Sequence, residues 1–234
     1  MAPVFQYSTA SALMAGVAAH GITVADLLKH GRYGLGTMLG IDGEVVVADG
    51  TVYHLCDSGK PSLVGPDARL PFAMVADIDP ANTCKCTEIA SKDALVDAIR
   101  RAEPDAGNKF IAFRAHGTID YVRVRVVRGQ KYPGQPLAEL GDSQRVHEFH
   151  GATGTLIGFI TPSYLAGVSI AGLHVHFLSD DCQAGGHLLE IATKAELCAW
   201  TRTIGELDLQ LPDSHEFASA NLNTDNEALR RVEG

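Results

Sequence analysis

The chain has 234 residues, 46% of them hydrophobic and 20% charged, with a formal net charge of −9. A chain of this length can bury a substantial core, either as one large domain or as two small ones. The negative charge and the lack of a Lys/Arg cluster argue against a nucleic acid or an anionic membrane as partner, because binding phosphates requires a basic surface. The expected ligands are therefore small molecules.

The N-terminal region and the cysteines indicate the cellular compartment in which the protein is expected. The apolar run 10–19 has no basic segment before it and is too short to span a bilayer, so we expect neither a secretion signal nor a membrane span. The five cysteines form no Cys-x-x-Cys motif, and their odd number favours free thiols in a reducing compartment. These features predict a cytoplasmic protein.

The N-terminal segment is predicted to be helical. Residues 8–30 have helical character, with Ser8 or Ser11 as the first cap. A second helix is expected to start at Thr23 and to stop at Gly31. Both helices are interpreted as packing elements.

The next segment is rich in β-branched residues. The pairs Asp42-Gly43 and Asp49-Gly50 are typical of hairpin turns, and Glu44 directly follows the first of them, at the mouth of a predicted strand. Residues 72–78 are predicted to form a further strand. An amphipathic helix capped by Ser91 then covers one face of the sheet.

Two more strands are predicted in the middle of the chain. Residues 109–115 and 119–127 alternate between apolar and polar side chains, and we expect them to be joined around His116-Gly117. In the second of these strands Arg123 and Arg125 lie two residues apart and therefore point to the same face.

A polar, proline-containing connection at 133–142 is the best candidate for a boundary, which predicts an N-terminal half 1–140 and a C-terminal half 141–234. The sequence Gly-Thr-Leu-Ile-Gly at 154–158 resembles Gly-Thr-Met-Leu-Gly at 36–40, 118 residues earlier. This repeat raises the hypothesis that one β-rich unit was duplicated.

The most informative segment contains three histidines within fourteen residues. His174 and His176 alternate with apolar residues, so on a strand both imidazoles emerge on one face. Residues 179–186 are rich in Asp and end in Gly-Gly, which predicts a chain reversal that returns His187 to the same patch. Three neutral imidazoles suit zinc and leave a fourth position for water or substrate, so the pattern predicts a catalytic metal site.

The chain resembles the α-acetolactate decarboxylases over nearly its whole length. Met38, where an aromatic residue is frequent, and Asp181-Cys182-Gln183, in a turn that often carries Arg, depart from the family pattern. The motifs that carry the resemblance are Leu27-Leu28-Lys29-His30-Gly31, Gly34-Leu35-Gly36-Thr37, Asp42-Gly43-Glu44, Gly154-Thr155-Leu156-Ile157-Gly158-Phe159 with Thr161-Pro162, His174-Val175-His176-Phe177 and Gly185-Gly186-His187.

The resemblance implies a zinc enzyme that converts 2-acetolactate to acetoin and CO2, and a homodimer. The implied α+β fold has two β-rich halves: a mixed N-terminal sheet with covering helices, and a C-terminal barrel-like β unit that carries the metal site and ends in a tail folding back to it. By motif match the zinc ligands are His174, His176 and His187. The same match makes Glu44, Arg125 and Glu233 catalytic, and places Thr37 and Arg125 against the substrate.

The chemistry supports these roles. Loss of CO2 from a 2-hydroxy-3-keto acid moves an electron pair into the adjacent ketone, and a metal that holds the hydroxyl and carbonyl oxygens stabilises the resulting enediolate. Carbon 2 must then receive a proton, for which we hypothesise the carboxyl pair Glu44 and Glu233. Arg125 would orient the substrate carboxylate, with Arg123 as the competing candidate.

Two alternatives remain at this point. A cupin-like barrel, either a metal-dependent oxygenase or a ligand-binding protein, also combines His-x-His on one strand with a later His. A cupin usually adds a glutamate shortly after the pair, and Asp180 or Asp181 fills that place only in part. The second alternative is a structural zinc closed by Cys182 as fourth ligand.

Overall fold

A computed structural model of the protein describes residues 2–57, 60–79, 81–141 and 144–223. The fold is α+β and rich in strands, with two large sheets and one small one. This level of the fold prediction is confirmed. Within the described part of the chain, no helix is both long enough and apolar enough to cross a membrane.

The first large sheet has seven strands, in the order β15-β1-β8-β3-β4-β5-β6. All its neighbouring strands are antiparallel except β1 and β15. A separate two-stranded sheet pairs β2 with β7. The strands of these two sheets are β1 (Val4–Tyr7), β2 (Ile22–Thr23), β3 (Tyr33–Met38), β4 (Asp42–Ala48), β5 (Thr51–Leu55), β6 (Pro61–Leu63), β7 (Arg69–Leu70), β8 (Phe72–Ala76) and β15 (Leu207–Gln210).

The second large sheet has six antiparallel strands, in the order β11-β12-β13-β10-β14-β9. Because β10 also pairs with β11, the pairings β10 to β11, β12, β13 and back to β10 form a closed ring. The barrel-like shape and the internal duplication stay predictions. The strands are β9 (Asn82–Cys86), β10 (Phe110–Val126), β11 (Arg145–Thr161), β12 (Gly172–Ser179), β13 (Gly185–Ala192) and β14 (Leu197–Ile204).

The helices of the described residues are short apart from one. The predicted Ser91 cap is confirmed, since its side chain accepts the amide of Ala94 at the start of the longest helix. The first cap, however, is Thr9 rather than Ser8 or Ser11. The helices are α1 (Ala10–Met14), α2 (Val24–Leu27), α3 (Lys92–Ala102), α4 (Leu137–Leu140) and α5 (His215–Ser219).

The two helices predicted within 8–30 are present but shorter than expected and are separated by β2, and the predicted start of the second at Thr23 is confirmed, since Thr23 caps α2. Gly16, just after α1, has φ +80, a left-handed conformation that ends a helix. A Cβ at this position would lie 2.4 Å from the carbonyl oxygen of Gln135, so tertiary packing also requires glycine here.

Two predicted turns had different outcomes. The Asp49-Gly50 turn is confirmed: both residues have positive φ, as a tight hairpin turn requires, and they join β4 to β5. The prediction of a hairpin turn at Asp42-Gly43 was wrong, because the chain reverses at Leu39–Ile41 and Asp42 is already the first residue of β4. The predicted junction at His116-Gly117 was also wrong, since β10 runs through it and stays paired with β11 on both sides.

The two large sheets pack against each other, and one core cluster contains residues of both, including Leu35, Val46, Ala112 and Ile157. Each sheet draws strands from both sides of residue 140: β15 joins the first sheet, and β9 and β10 join the second. The division into halves 1–140 and 141–234 stays a prediction. Strand β4 contacts β12 and β13, which places its residues opposite the histidine segment.

Candidate metal centre

The three predicted histidines meet on two neighbouring strands. His174 and His176 lie on β12 and His187 lies on β13, where it is directly opposite His176. The ligating nitrogens of the three rings lie within 4.8 Å of one another, and all three residues are buried, with exposed fractions of 4%, 1% and 2%. The alternation along β12 and the reversal after it are as the sequence predicts.

The turn between β12 and β13 explains how His187 reaches this position. The Ser179 hydroxyl accepts the amides of Gln183 (3.2 Å) and Ala184 (2.9 Å) and donates to the Asp181 carboxylate (2.6 Å). Gly186 then has φ +156, and a Cβ there would lie 2.6 Å from the Arg125 carbonyl oxygen. Glycine at this position therefore allows β13 to approach β10 closely while it carries His187 into the cluster.

Two of the histidines are held in the neutral state that binds metals, and a hydrogen bond orients the third. Burial, followed by the positive charge of Arg125, lowers the pKa of His174 to about 3 and places the pKa of His187 well below its usual value. Both rings are therefore neutral at physiological pH. His176 donates its Nδ1 proton to the Val45 carbonyl (2.8 Å), so its lone pair is on Nε2.

A carboxylate and a guanidinium complete the cluster. Glu44, on β4 of the seven-stranded sheet, places Oε2 3.4 Å from Nε2 of His176 and Oε1 3.5 Å from Nη1 of Arg125. Arg125 lies on β10, directly beside His187. Glu44 and Arg125 are only 6% and 2% exposed, so their charges interact in a region from which water is largely excluded.

Thr37 lies next to this cluster, on β3 opposite Glu44. Its hydroxyl donates to the carbonyl oxygen of Gly43 at 2.6 Å, and the residue is 4% exposed. Thr37 therefore supports the backbone that leads into Glu44.

The cluster occurs in a chain that matches a known family over almost its whole length. The family model described as alpha-acetolactate decarboxylase matches residues 4–224. The chain belongs to the alpha-acetolactate decarboxylase family. The resemblance seen in the motifs is thereby confirmed, and so is the prediction of an enzyme of the carboxy-lyase kind.

Individual relatives support this family membership. The alpha-acetolactate decarboxylase of Klebsiella aerogenes is 34% identical over 98% of this chain and 88% of its own length, and that of Raoultella terrigena is 35% identical over 98% and 89%. The crystal structure of the Bacillus subtilis strain 168 enzyme superposes with a TM-score of 0.93 at 28% identity, covering 99% of both chains. The cupin-like alternative is not favoured.

Other predicted residues of this alpha-acetolactate decarboxylase family member lie elsewhere. Arg123 forms an ion pair with Glu190 (2.5 Å) near the surface, where the side chains are 34% and 53% exposed. Cys182 lies in the turn after β12 and is not part of the metal-ligating group found among the described residues. Glu233 lies outside the described residues.

The backbone groups that orient the site are not among the residues predicted from the sequence. The carbonyl of Val45 selects the tautomer of His176, and the carbonyls of Gly43 and Val127 anchor the entry to β4. Every residue has a carbonyl, so these acceptors leave no pattern in the sequence. Two residue types in the sequence could have pointed to this arrangement. Gly43 is a glycine where the backbone has φ +74, and Thr37 is a hydroxyl-bearing residue that donates to the Gly43 carbonyl.

The cluster fits a divalent metal ion. Imidazole is a common ligand for zinc and related transition metals, and three imidazoles with a carboxylate beside them form a donor set of the catalytic type. The observation that supports this fit is the fixed tautomer of His176, whose Nδ1 is bound to backbone while Nε2 lies within the histidine group. His174, His176 and His187 are the residues that can hold the ion.

Proposed function

We propose that this protein is a zinc-dependent decarboxylase that converts 2-acetolactate to acetoin and CO2 through an enediolate. The observation that carries the proposal is the convergence of three buried imidazoles with Glu44 and Arg125, in a chain of the alpha-acetolactate decarboxylase family. When bound by the three histidines, zinc would act as a Lewis acid toward the hydroxyl and ketone oxygens of the substrate.

Arg125 is assigned to the substrate carboxylate. Its guanidinium is 2% exposed and lies beside the histidine cluster, where a planar, permanently charged fork can bind and orient a carboxylate. Decarboxylation breaks the bond between carbon 2 and the carboxylate, and the electron pair moves into the neighbouring ketone. Arg125 holds the carboxylate so that this bond is aligned with the ketone.

Glu44 is assigned to proton handling at carbon 2. Its carboxyl group is 6% exposed and lies between His176 and Arg125, close enough to the histidine cluster to reach a small molecule bound there. In its protonated form it would deliver a proton to the enediolate carbon and so produce acetoin. We propose Glu233 as its partner in the C-terminal tail, and Thr37 as the residue that borders the substrate.

The wider predictions of the sequence analysis also stay proposals. They are a cytoplasmic homodimer, a barrel-like C-terminal unit and an origin by duplication of a β-rich half. The ring of strand pairings through β10 to β13 supports the barrel-like unit, and the repeated Gly-Thr-x-x-Gly pattern supports the duplication.

One assay tests the function. Purified protein is incubated with racemic 2-acetolactate, and acetoin and CO2 are measured before chelation, after chelation and after zinc is restored. We expect acetoin formation that chelation abolishes and zinc restores, with about one zinc per chain measured by elemental analysis. Absence of acetoin from the zinc-loaded protein would refute the proposal, and activity only with iron and dioxygen would favour an oxygenase.

A further inference from the structure

The peptide that precedes Glu44 adopts an unusual conformation. Thr37 lies opposite Glu44, but the next pair along β3 and β4 is Met38 with Asp42, so Gly43 is an extra residue in β4. Gly43 has φ +74, the left-handed conformation of a glycine β-bulge. Bulges of this kind redirect a strand next to a functional site, and this one lies one residue before the buried carboxylate.

The peptide unit between Asp42 and Gly43 is held at both ends. Its N–H, on Gly43, donates to the Val127 carbonyl at 3.0 Å. Its carbonyl, on Asp42, lies 2.7 Å from Nε2 of His54. A carbonyl oxygen only accepts, so Nε2 of His54 is the donor. Because a peptide unit is planar, these two contacts fix the orientation of the whole plane.

The contact to Val127 joins the two large sheets beside the site. Val127 follows β10 directly and lies two residues beyond Arg125, whereas Gly43 lies one residue before Glu44. The hydrogen bond therefore sets the distance between the backbone that carries Glu44 and the backbone that carries Arg125. The side chains of Glu44 and Arg125 lie 3.5 Å apart.

His54 contacts the far side of this peptide. It lies on β5 opposite Val45, so its side chain faces away from Glu44 and the histidine cluster. A Cβ added to Gly43 would lie 2.5 Å from Nε2 of His54, which shows how closely the ring packs against the bulge.

We propose that His54 is a positioning residue for decarboxylation. Resting on the function proposed above, it acts through the Asp42-Gly43 peptide to hold Glu44 against His176 and Arg125. Without the imidazole donor, the peptide can rotate about the flexible Gly43, and the carboxylate then samples orientations that do not reach the substrate. Misplacement of a catalytic group by about 1 Å costs on the order of 100-fold in rate.

Three variants test the proposal, each compared with the wild type. His54→Leu removes the donor, His54→Asn moves it one bond closer to the backbone, and His54→Gln keeps an N–H donor at the same number of bonds. The matched control is His20→Leu, at an exposed histidine outside strands β3, β4 and β5. Bound zinc and melting temperature are measured for every variant.

We expect kcat for acetoin formation to fall about 10- to 100-fold in His54→Leu and His54→Asn, with KM changed less than threefold and zinc content unchanged. His54→Gln is expected to restore kcat to within about fivefold of the wild type. Amide hydrogen exchange at Gly43 should accelerate at least about tenfold in His54→Leu. Exchange at Gly50, a second positive-φ glycine, whose amide donates to Arg32, should not change.

Wild-type kcat in both His54→Leu and His54→Asn would overturn the proposal. Failure of His54→Gln to recover activity, or a loss of kcat that follows zinc loss or a lower melting temperature, would overturn it equally. If His54→Leu does not fold, comparing kcat of His54→Asn with kcat of His54→Gln still decides whether the donor at position 54 is required. Acetoin formation by the wild type is tested separately. Amide exchange at Gly43 reports whether His54 holds the Asp42-Gly43 peptide even if the protein forms no acetoin.

Discussion

The guanidinium of Arg125 lies 3.5 Å from the carboxylate of Glu44, although the two residues belong to different sheets. Both side chains are buried, and removing either charge deprives the other of this ion-pair partner in a region of low dielectric. Arg125 also lies beside His187, and its positive charge helps to keep that ring and His174 neutral. The pair therefore couples sheet packing to the state of the metal ligands.

Replacing the carboxylate tests proton handling. In Glu44→Gln, shape and hydrogen-bonding capacity are largely kept, but no proton can be delivered at neutral pH. We expect kcat to fall by about 10²- to 10⁴-fold while zinc remains bound, measured by acetoin formation and elemental analysis. Glu190→Gln, at a half-exposed carboxylate, is the control and should keep near wild-type activity. Comparable turnover in both variants would contradict the role of Glu44.

The two arginines of β10 should respond differently to substitution. Arg125→Met leaves Glu44 buried without its cation, and we expect a loss of about 3–5 kcal/mol in the free energy of unfolding, measured by urea denaturation. Adding Glu44→Gln to Arg125→Met should recover part of that loss. Arg123→Met removes an exposed ion pair and should cost less than about 1 kcal/mol. Equal losses in the two single variants would argue against a special environment for Arg125.

Stability of the chelated protein should depend on pH below neutrality. Burial lowers the pKa of His174 from 6.5 to about 3, and the pKa of His187 also lies well below 6.5. Below pH 6.5 the unfolded chain therefore binds protons that the folded chain does not, so stability is complete above pH 6.5 and falls as pH decreases.

Each of the two rings contributes up to about 1.4 kcal/mol per pH unit in this range. Urea denaturation of chelated protein between pH 7.5 and 5.5 measures the slope. His174→Gln removes one of the two groups and should make the slope shallower. A slope unaffected by that substitution would show that other groups dominate the acid response.

The C-terminal tail is expected to be required for turnover. Glu233→Gln, or truncation after Arg231, should abolish acetoin formation while zinc stays bound, because the histidine ligands are elsewhere in the chain. Deleting only Gly234 is the matched control and should leave turnover near the wild-type level. Wild-type rates from either of the first two variants would refute the proposed partnership of Glu233 with Glu44.

A catalytic and a structural zinc respond differently to loss of the turn cysteine. Cys182 lies on the turn between the ligand-bearing strands, outside the histidine group. Cys182→Ser should therefore retain zinc and activity, as judged by elemental analysis and acetoin formation. Release of the metal would instead indicate a closed structural site with the cysteine as fourth ligand.

The local predictions that held depend on short-range geometry. Period-two alternation places His174 and His176 on one face of β12, and the Asp- and Gly-rich turn returns His187, because both effects operate within a few residues. The Asp49-Gly50 turn and the Ser91 cap were predicted for the same reason. The motifs of the chain are long enough to indicate its family from the sequence alone.

Tertiary structure decided the rest. The reversal at Leu39–Ile41 in place of Asp42-Gly43, and the uninterrupted β10 through Gly117, follow from strand pairing between distant segments. The meeting of Glu44 with Arg125 and His176 requires two sheets to pack, and no local pattern specifies their separation. Side-chain chemistry and turn preference can be read residue by residue, but the contacts that orient Glu44 join backbone groups far apart in the chain, and every residue carries such groups.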